Sequence, residues 1–381
     1  MKYRPADIFF VAGEASGDLQ ASLLSNALAE FKPQLRVGGV AGEALAATGA
    51  DIAYHSTELA SIGPLSVIPM LPLLYAVYLM LDYNLRKQPP GLFVPVDAGG
   101  FNIPFMRRLR RGGYTGRMLY YFPPGAWVDN TTQSRAVAEL SLALTPFAHQ
   151  RDFYRSLGLR VEYFGHPLVS VIVPRTPLAA QPKPHIALLP GSRREEVTRH
   201  LPTLAQAAAQ LEQRSGAHFS IVASSDARAD QIRSLWRRSR GPQAVEIVRT
   251  KTTQALQDVT LAWVASGTAV LEAALIEVPQ IAFYRISDPL YRIARRKMPA
   301  HLLYTITLPN LVLGRRIVPE LLQYDFTAQQ LVNESIQFLE DESRLRQQRE
   351  GYAELRSALG PSDSLQRIAA FVADYMDEGR A

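Results

Sequence analysis

Several short runs in this chain place small residues, hydroxyls and charges directly after an apolar stretch. The fullest is Val264-Ala265-Ser266-Gly267-Thr268-Ala269-Val270-Leu271-Glu272. An apolar strand from Val259 to Val264 enters a Ser-Gly-Thr turn, and a helix starts there. Unpaired backbone N–H groups and the helix dipole at such a start face a phosphate, and Gly267 lets it come close. Ser266 and Thr268 add hydroxyls, and Glu272 could accept hydrogen bonds from the hydroxyls of an attached ribose. A capped core helix after a core strand accounts equally well for these letters taken alone. Leu189-Pro190-Gly191-Ser192-Arg193 repeats the pattern with a cation added. Ser192 and Arg193 at a helix start concentrate positive potential, and a guanidinium grips a diphosphate through paired hydrogen bonds. Arg193 is expected to face the ligand, with Arg194 solvated; the competing arrangement pairs both with Glu195 and Glu196. Asn310, on the rigid turn Leu308-Pro309-Asn310-Leu311, offers an amide to sugar or phosphate, or is part of an ordinary turn.

A second set lies in the first half of the chain. Gly13-Glu14-Ala15-Ser16-Gly17-Asp18 follows the first strand. It is not G-x-G-x-x-G, so it is a poor dinucleotide fingerprint. Gly13 and Gly17 still permit close backbone approach, and Ser16 or Asp18 is expected to cap the helix and to contact ligand. Asp97 ends a strand, before Gly99-Gly100, where a carboxylate could take a proton from a substrate hydroxyl. Asn102 either caps the next helix or orients a sugar. His166, between Gly165 and Pro167 at a strand end, either reaches the ligand or satisfies local backbone.

The elements that must position these residues alternate. Strand-like and helix-like segments follow one another from Asp7 to Phe164 and again from His185 to Tyr284, and a charged helical tail covers Thr327 to Asp377. Such alternation builds parallel sheets covered on both faces, with ligands at the carboxyl ends of the strands. The fold expected is α/β, with two doubly wound domains facing a cleft. The first domain covers 1–169, a Pro-rich linker 170–184 and the second domain 185–360. A C-terminal helix, 361–381, is expected to pack back on the first domain, as is usual for this fold.

With 381 residues, 47% of them hydrophobic, the chain can fill two ordinary domains. It has no cysteine, which excludes disulfides and thiolate chemistry, and seven scattered histidines with no H-x-x-x-H pair argue against a metal site. The net charge of +6 favours anionic partners. Aromatic and basic residues are not interleaved as in an RNA-binding sheet, so nucleic acid is not expected. Met1 to Asp7 leads directly into a strand without a signal-peptide pattern. Residues 62–81 carry no charge, but Pro64, Pro69 and Pro72 interrupt them. The apolar helical part, about 73–81, is too short to span a bilayer. It reads as an interfacial or core helix, with Arg86 and Lys87 at a headgroup boundary. The basic run Arg292, Arg295, Arg296, Lys297 suggests a further surface for anionic lipid, or a solvated helix face.

Together the motifs resemble one family. G-E-A-S-G-D at 13–18, G-H-P at 165–167, L-P-G-S-R at 189–193, A-S-G-T-A-x-L-E at 265–272 and L-P-N-L at 308–311 stand in the order seen in lipid-A-disaccharide synthases. These are inverting glycosyltransferases of the GT-B type, built from two Rossmann-like domains. The resemblance implies UDP-2,3-diacylglucosamine as donor and 2,3-diacylglucosamine 1-phosphate (lipid X) as acceptor. It implies UDP and a β-1,6-linked disaccharide 1-phosphate as products, with no cofactor. It also implies a cytoplasmic enzyme peripheral on the inner membrane, touching its anionic surface. Asp97 matches the family's candidate base, Ser192, Arg193, Ser266, Gly267, Thr268, Glu272 and Asn310 its donor side, and Gly13, Glu14, Ser16, Gly17, Asp18, Asn102 and His166 its acceptor side. Two loops depart from the pattern. The family's D-x-P-D-F-N is here Asp97-Ala98-Gly99-Gly100-Phe101-Asn102, and its S-P-S-x-W-A-W is reduced to Pro123-Pro124-Gly125-Ala126-Trp127-Val128. A related membrane-associated UDP-sugar transferase with a different lipid acceptor is therefore the alternative. A sugar-nucleotide epimerase of the same plan, or a non-catalytic lipid- or nucleotide-binding protein, stands behind it.

Overall fold

A computed structural model describes residues 3–55, 71–125, 127–176, 178, 183–297 and 300–378. The chain divides into two compact units, Met1–Ser170 with Leu359–Ala381, and Val171–Ala358. In the first unit β1 (Ile8–Ala12), α1 (Ala15–Phe31), β2 (Val37–Ala41), α2 (Glu43–Ala46) and β3 (Asp51–His55) come first. Then follow α3 (Leu71–Lys87), β4 (Leu92–Val96), α4 (Gly99–Arg111), β5 (Arg117–Tyr121), α5 (Thr131–Leu140), β6 (Leu142–Thr145), α6 (Ala148–Ser156) and β7 (Val161–Tyr163), with α7 (Leu168–Val171) at the boundary. The strands form one parallel sheet in the order β3-β2-β1-β4-β5-β6-β7. All five residues of β1 and of β4 are buried, as expected of strands covered on both faces.

The second unit runs β8 (His185–Leu189), α8 (Arg194–Ser215), β9 (His218–Val222), α9 (Asp226–Arg238), β10 (Val245–Val248) and α10 (Thr252–Ala255). It continues with β11 (Leu261–Ala265), α11 (Thr268–Ile276), β12 (Gln280–Tyr284), α12 (Asp288–Lys297), a 3-10 turn (Ala300–Leu303), α13 (Leu308–Leu313), β13 (Glu320–Leu322) and α14 (Ala328–Glu340). Its sheet is also parallel, in the order β10-β9-β8-β11-β12-β13. The segment entering this unit is tied to it. Arg175 donates to the carbonyls of Leu256 and Gln257 at 2.9 and 2.8 Å, and Arg356 to those of Ile172 and Leu275 at 3.0 and 2.6 Å. Residues 177 and 179–182 of the Pro-rich stretch lie outside the described residues.

After α15 (Glu342–Leu359), the last helix, α16 (Ser364–Asp377), belongs to the first unit. Its Leu365, Ile368, Ala369, Val372 and Met376 share a core with Ala21, Leu24 and Leu28 of α1. Lys32 pairs with Asp377 at 2.8 Å on the same seam.

Of the uncharged segment 62–81, positions 62–70 lie outside the described residues. The helix that follows runs on to Lys87 and is two-faced. Leu81, Asp82 and Leu85 are buried, whereas Tyr75, Met80 and Tyr83 are exposed, Tyr75 by 59% and Tyr83 by 57%. Arg86 and Arg108 both pair with the buried Asp82, at 2.7 and 3.1 Å. Among the described residues no helix is long and apolar enough to cross a membrane.

Candidate functional site

In an open parallel sheet, ligands bind where the strand order reverses, beyond the carboxyl ends of the two strands that flank the reversal. Each unit has one such point: between β1 and β4 in the first, between β8 and β11 in the second. Most of the residues singled out from sequence lie in the loops at these two points, whereas His166 follows the edge strand β7 and Asn310 precedes the edge strand β13.

In the second unit β8 and β11 run in register, Leu189 beside Val264, so the loops that leave them start at the same level. Pro190 to Arg193 opens the 22-residue α8, and Ser266 to Thr268 opens α11. Two helix N-termini therefore flank this switch point, and first-turn N–H groups of this kind attract an anion. Gly191 has φ +113° and Gly267 φ +156°, backbone that only glycine adopts without strain. Nothing lies within 4 Å of where a Gly267 Cβ would be, so that turn is open to a ligand. A Cβ on Gly191 would lie 2.6 Å from Glu196 Oε2. That space is needed because Glu196 folds back beneath the loop. It accepts from the Arg193 backbone N–H at 3.2 Å and from Arg193 Nη1 at 2.9 Å. The hydroxyl of Tyr284, at the end of β12, donates to the same carboxylate at 3.2 Å. Burial and the facing Glu196 push the Tyr284 phenol up to about 12. Arg193 is thus ion-paired in this state and its side chain remains 45% exposed. The geometry combines the pairing expected of a solvated helix start with a cation standing at the seat. Ser192 is exposed in the same turn.

Glu272 lies one turn into α11, partly accessible at its rim. Desolvation pushes its carboxyl up to about 7, against a hydrogen bond from Thr252 at the start of α10. A carboxyl poised there can accept from one sugar hydroxyl and hold its orientation through Thr252. Thr252 was not legible as a site residue, since α10 is a single turn without periodicity.

Asn310 corrects the expectation from sequence. It is 1% exposed, and its amide is occupied within its own segment. Its Oδ1 accepts from the N–H groups of Ile317 and Val318 at 2.7 and 2.9 Å, and its Nδ2 donates to the Val318 carbonyl at 2.8 Å. The Leu-Pro-Asn-Leu run is the start of a helix, α13, rather than a turn, and Asn310 braces the chain that leads to β13.

In the first unit β1 and β4 are paired, Ala12 beside Val96, so Gly13 and Asp97 leave the sheet together. A Cβ on Gly13 would lie 3.4 Å from that of Ala98, which fixes how closely the two loops approach. Asp97 and Ala98 have φ +49° and +45°, two consecutive residues in left-handed backbone. Such strain persists only when the surroundings enforce it, and it gathers at functional sites. Here the Asp97 carbonyl accepts from the Tyr120 hydroxyl at 2.6 Å and from Asn102 Nδ2 at 2.9 Å, and its N–H donates to the Tyr121 carbonyl at 3.1 Å. With its backbone held on three sides, Asp97 is presented at the surface of the switch point. Asn102, fully buried inside α4, holds the Asp97 carbonyl and does not cap the helix, whose N-cap is Ala98. Tyr120 was missed, because a strand tyrosine reads simply as core.

Two more residues of this unit are corrected. Asp18 is 5% exposed, and its two oxygens accept from Gly42, Ala44 and Leu45 N–H groups at 2.8, 2.9 and 3.1 Å. It caps the turn into α2 instead of the helix it belongs to, and both its oxygens are engaged there. His166 is 2% exposed, packed edge-on against Phe122 with Nδ1 accepting from the Leu168 N–H at 3.2 Å. Burial drives its imidazole down to about 3, so it is a neutral turn brace. Glu14, Ser16 and Gly13 remain at the open start of α1, with Glu14 at its N-cap, while Gly17 is buried against Val96. Gly100 is exposed with nothing within 4 Å of a Cβ placed there, whereas a Cβ on Gly99 would lie 2.5 Å from the Pro124 ring. Pro124 thus presses the 122–130 loop onto the loop that carries Asp97. Ala126 lies outside the described residues.

Two hollows of the second unit, of about 400 and 820 Å³, are lined by Arg315, Glu320 and Arg344 and by Arg233, Trp236 and Arg240. Neither includes a switch-point loop, and the strand-end geometry outweighs their size. Among the described residues no three His, Asp or Glu converge as metal ligands.

The family model of lipid-A-disaccharide synthetase matches residues 8–372, both switch points included. The chain belongs to this family. The lipid-A-disaccharide synthase of Myxococcus xanthus is 31% identical over 388 residues, covering 99% of each chain. Membership makes the chain a glycosyltransferase of lipid A biosynthesis, a hexosyltransferase on two doubly wound domains of the GT-B class. Solved structures share the fold at low identity. The S. aureus MnaA–UDP co-structure superposes with a TM-score of 0.66 at 13% identity, covering 97% of this chain and 96% of that one. Arabidopsis thaliana UGT89C1 superposes with a TM-score of 0.62 at 13% identity, covering 97% and 100%.

Proposed function

We propose that the chain transfers the diacylglucosaminyl group of UDP-2,3-diacylglucosamine to the 6-hydroxyl of 2,3-diacylglucosamine 1-phosphate, with inversion, releasing UDP. The observation that carries this reading is the pair of helix N-termini at the β8/β11 switch point, with Arg193 beside them, in a chain of this family. The MnaA structure of the same fold is a complex with UDP, which favours a uridine nucleotide here too.

In the proposed reaction the acceptor oxygen bonds to the anomeric carbon as the bond to UDP breaks. The leaving diphosphate gains charge, and the N–H groups of 191–192 and 267–269 with the Arg193 guanidinium stabilise it as it forms. Ser192, Ser266 and Thr268 supply hydroxyls to the phosphates, and Glu272 holds the ribose. Asp97 takes the proton of the attacking hydroxyl. The strained, anchored backbone that presents this carboxylate favours that role. Gly13, Glu14, Ser16 and Gly17, at the start of α1, shape the acceptor side. Tyr75, Met80 and Tyr83 on the exposed face of α3, followed by Arg86 and Lys87, suit the cytoplasmic surface of an anionic inner membrane. Arg292, Arg295 and Arg296 on α12 are exposed and suit an anionic surface as well.

The open space at Gly100 favours a second reading, a different lipid acceptor, since the family's second acid has no counterpart there. Incubating the purified protein with the UDP-sugar and lipid X decides between them. Disaccharide and UDP in equal amounts support the first reading. UDP released only with another lipid acceptor supports the second, and no UDP release with any acceptor refutes both.

A further inference from the structure

His200 is a buried titratable residue for which the reaction above has no use. It is fully buried on the inner face of α8, boxed by Phe283, Tyr284 and Phe326. Its Nδ1 is 2.8 Å from the Pro190 carbonyl. A carbonyl only accepts, so Nδ1 carries the hydrogen. The ring is neutral, because burial lowers the pKa of its imidazole. Nε2 is then an acceptor, and the Arg285 N–H, 3.2 Å away, donates to it. On this tautomer the 3.3 Å approach of Nε2 to the Arg285 carbonyl is a contact and not a hydrogen bond.

The consequence lies in one peptide plane. The carbonyl of Pro190 and the N–H of Gly191 belong to the same planar trans peptide and point in opposite directions. Holding that carbonyl inward on His200 turns the Gly191 N–H the other way. Gly191 at φ +113° carries no Cβ, so little else resists a flip of this plane. A flipped plane would turn a carbonyl oxygen to the face that now carries the N–H, which repels a phosphate. The other end of the strap, Arg285, follows Tyr284, whose hydroxyl holds Glu196 and through it Arg193.

We infer that His200 is a positioning residue for the donor site: it locks the 190–191 peptide with its N–H toward the diphosphate and ties that loop to the end of β12. This rests on the donor reading above. UDP affinity, measured by calorimetry on the full chain, tests it. His200→Leu is expected to weaken UDP about tenfold, the loss of one oriented hydrogen bond. An Asn amide nitrogen stands where Nδ1 does, so His200→Asn is expected to bind UDP nearly as well as the parent. A Gln amide stands where Nε2 does, so His200→Gln is expected to behave like His200→Leu. The Asn and Gln variants suffice if the Leu variant does not fold. Equal UDP affinity in the Asn and Gln variants, with only their melting temperatures lowered, overturns the inference and leaves His200 as core. Arg193→Ala measured alongside separates the two claims. If it too leaves UDP binding unchanged, the donor reading fails, and if it alone weakens UDP, only the His200 inference fails.

Discussion

Asp97 is exposed at the switch point, and three hydrogen bonds hold its backbone there. Asp97→Asn should lower turnover by about 100-fold or more in an initial-rate assay, the usual contribution of a general base. Full activity in that variant would remove Asp97 from this role. The corrected residues predict the opposite pattern. Asp18→Ala strips three backbone N–H groups of their acceptor, and Asn310→Ala strips two. Each should destabilise its unit by about 1–3 kcal/mol in thermal unfolding, with the donor KM of the folded fraction unchanged. A raised donor KM in Asn310→Ala with unaltered stability would reinstate it as a donor contact. Glu272 carries a pH signature. Its folded pKa, about 7, stands above the ordinary carboxylate value, so the native state holds its proton longer than the unfolded chain does. The resulting stabilisation is full below pH ~4 and is lost as pH rises through about 7. Relative to Glu272→Gln, the parent should therefore lose on the order of 3 kcal/mol between those limits. Parallel stability curves would show that the carboxyl is not desolvated.

At the scale of elements, both sheets were legible because buried parallel strands read as unbroken apolar runs ended by small residues. Val259 to Val264 announced β11, although the strand begins at Leu261, and Asp7 to Ala12 announced β1. Short or polar elements were not. β13 is three residues after Pro319, and α10 is one turn. Of the helices α5 and α6, α5 did carry a usable signal, since Asn130 caps it by accepting from the Gln133 N–H. Among site residues, position along the chain was legible and side-chain direction was not. Ser266, Gly267 and Arg193 stand at strand ends as the spacing implies, but no spacing distinguishes an Asp18 or His166 turned inward from one turned out. The α3 helix shows the same limit. Its apolar letters hid two faces, one in the core and one exposing Tyr75 and Tyr83. Tyr75→Glu with Tyr83→Glu should release the protein from anionic vesicles in a sedimentation assay without unfolding it. Unchanged partitioning would assign membrane contact elsewhere.

At the scale of the molecule, each sheet reverses its strand order once, and the proposed reaction draws on the loops at both points: two helix starts in the second unit and a carboxylate on left-handed backbone in the first. The donor half is the more completely specified, by two helix starts, two glycines with positive φ and an arginine held in place by Glu196 and Tyr284. The acceptor half departs from the family pattern at Gly100 and in the 122–130 loop, so acceptor choice is where this chain is expected to differ. In the proposed reaction donor binding and proton transfer belong to different residues. The direct test is a UDP titration of the parent, Arg193→Ala and Asp97→Asn under one buffer condition. The Kd should rise about tenfold or more in Arg193→Ala, from loss of a charge-assisted contact, and stay unchanged in Asp97→Asn. An unchanged Kd in Arg193→Ala would contradict the donor assignment.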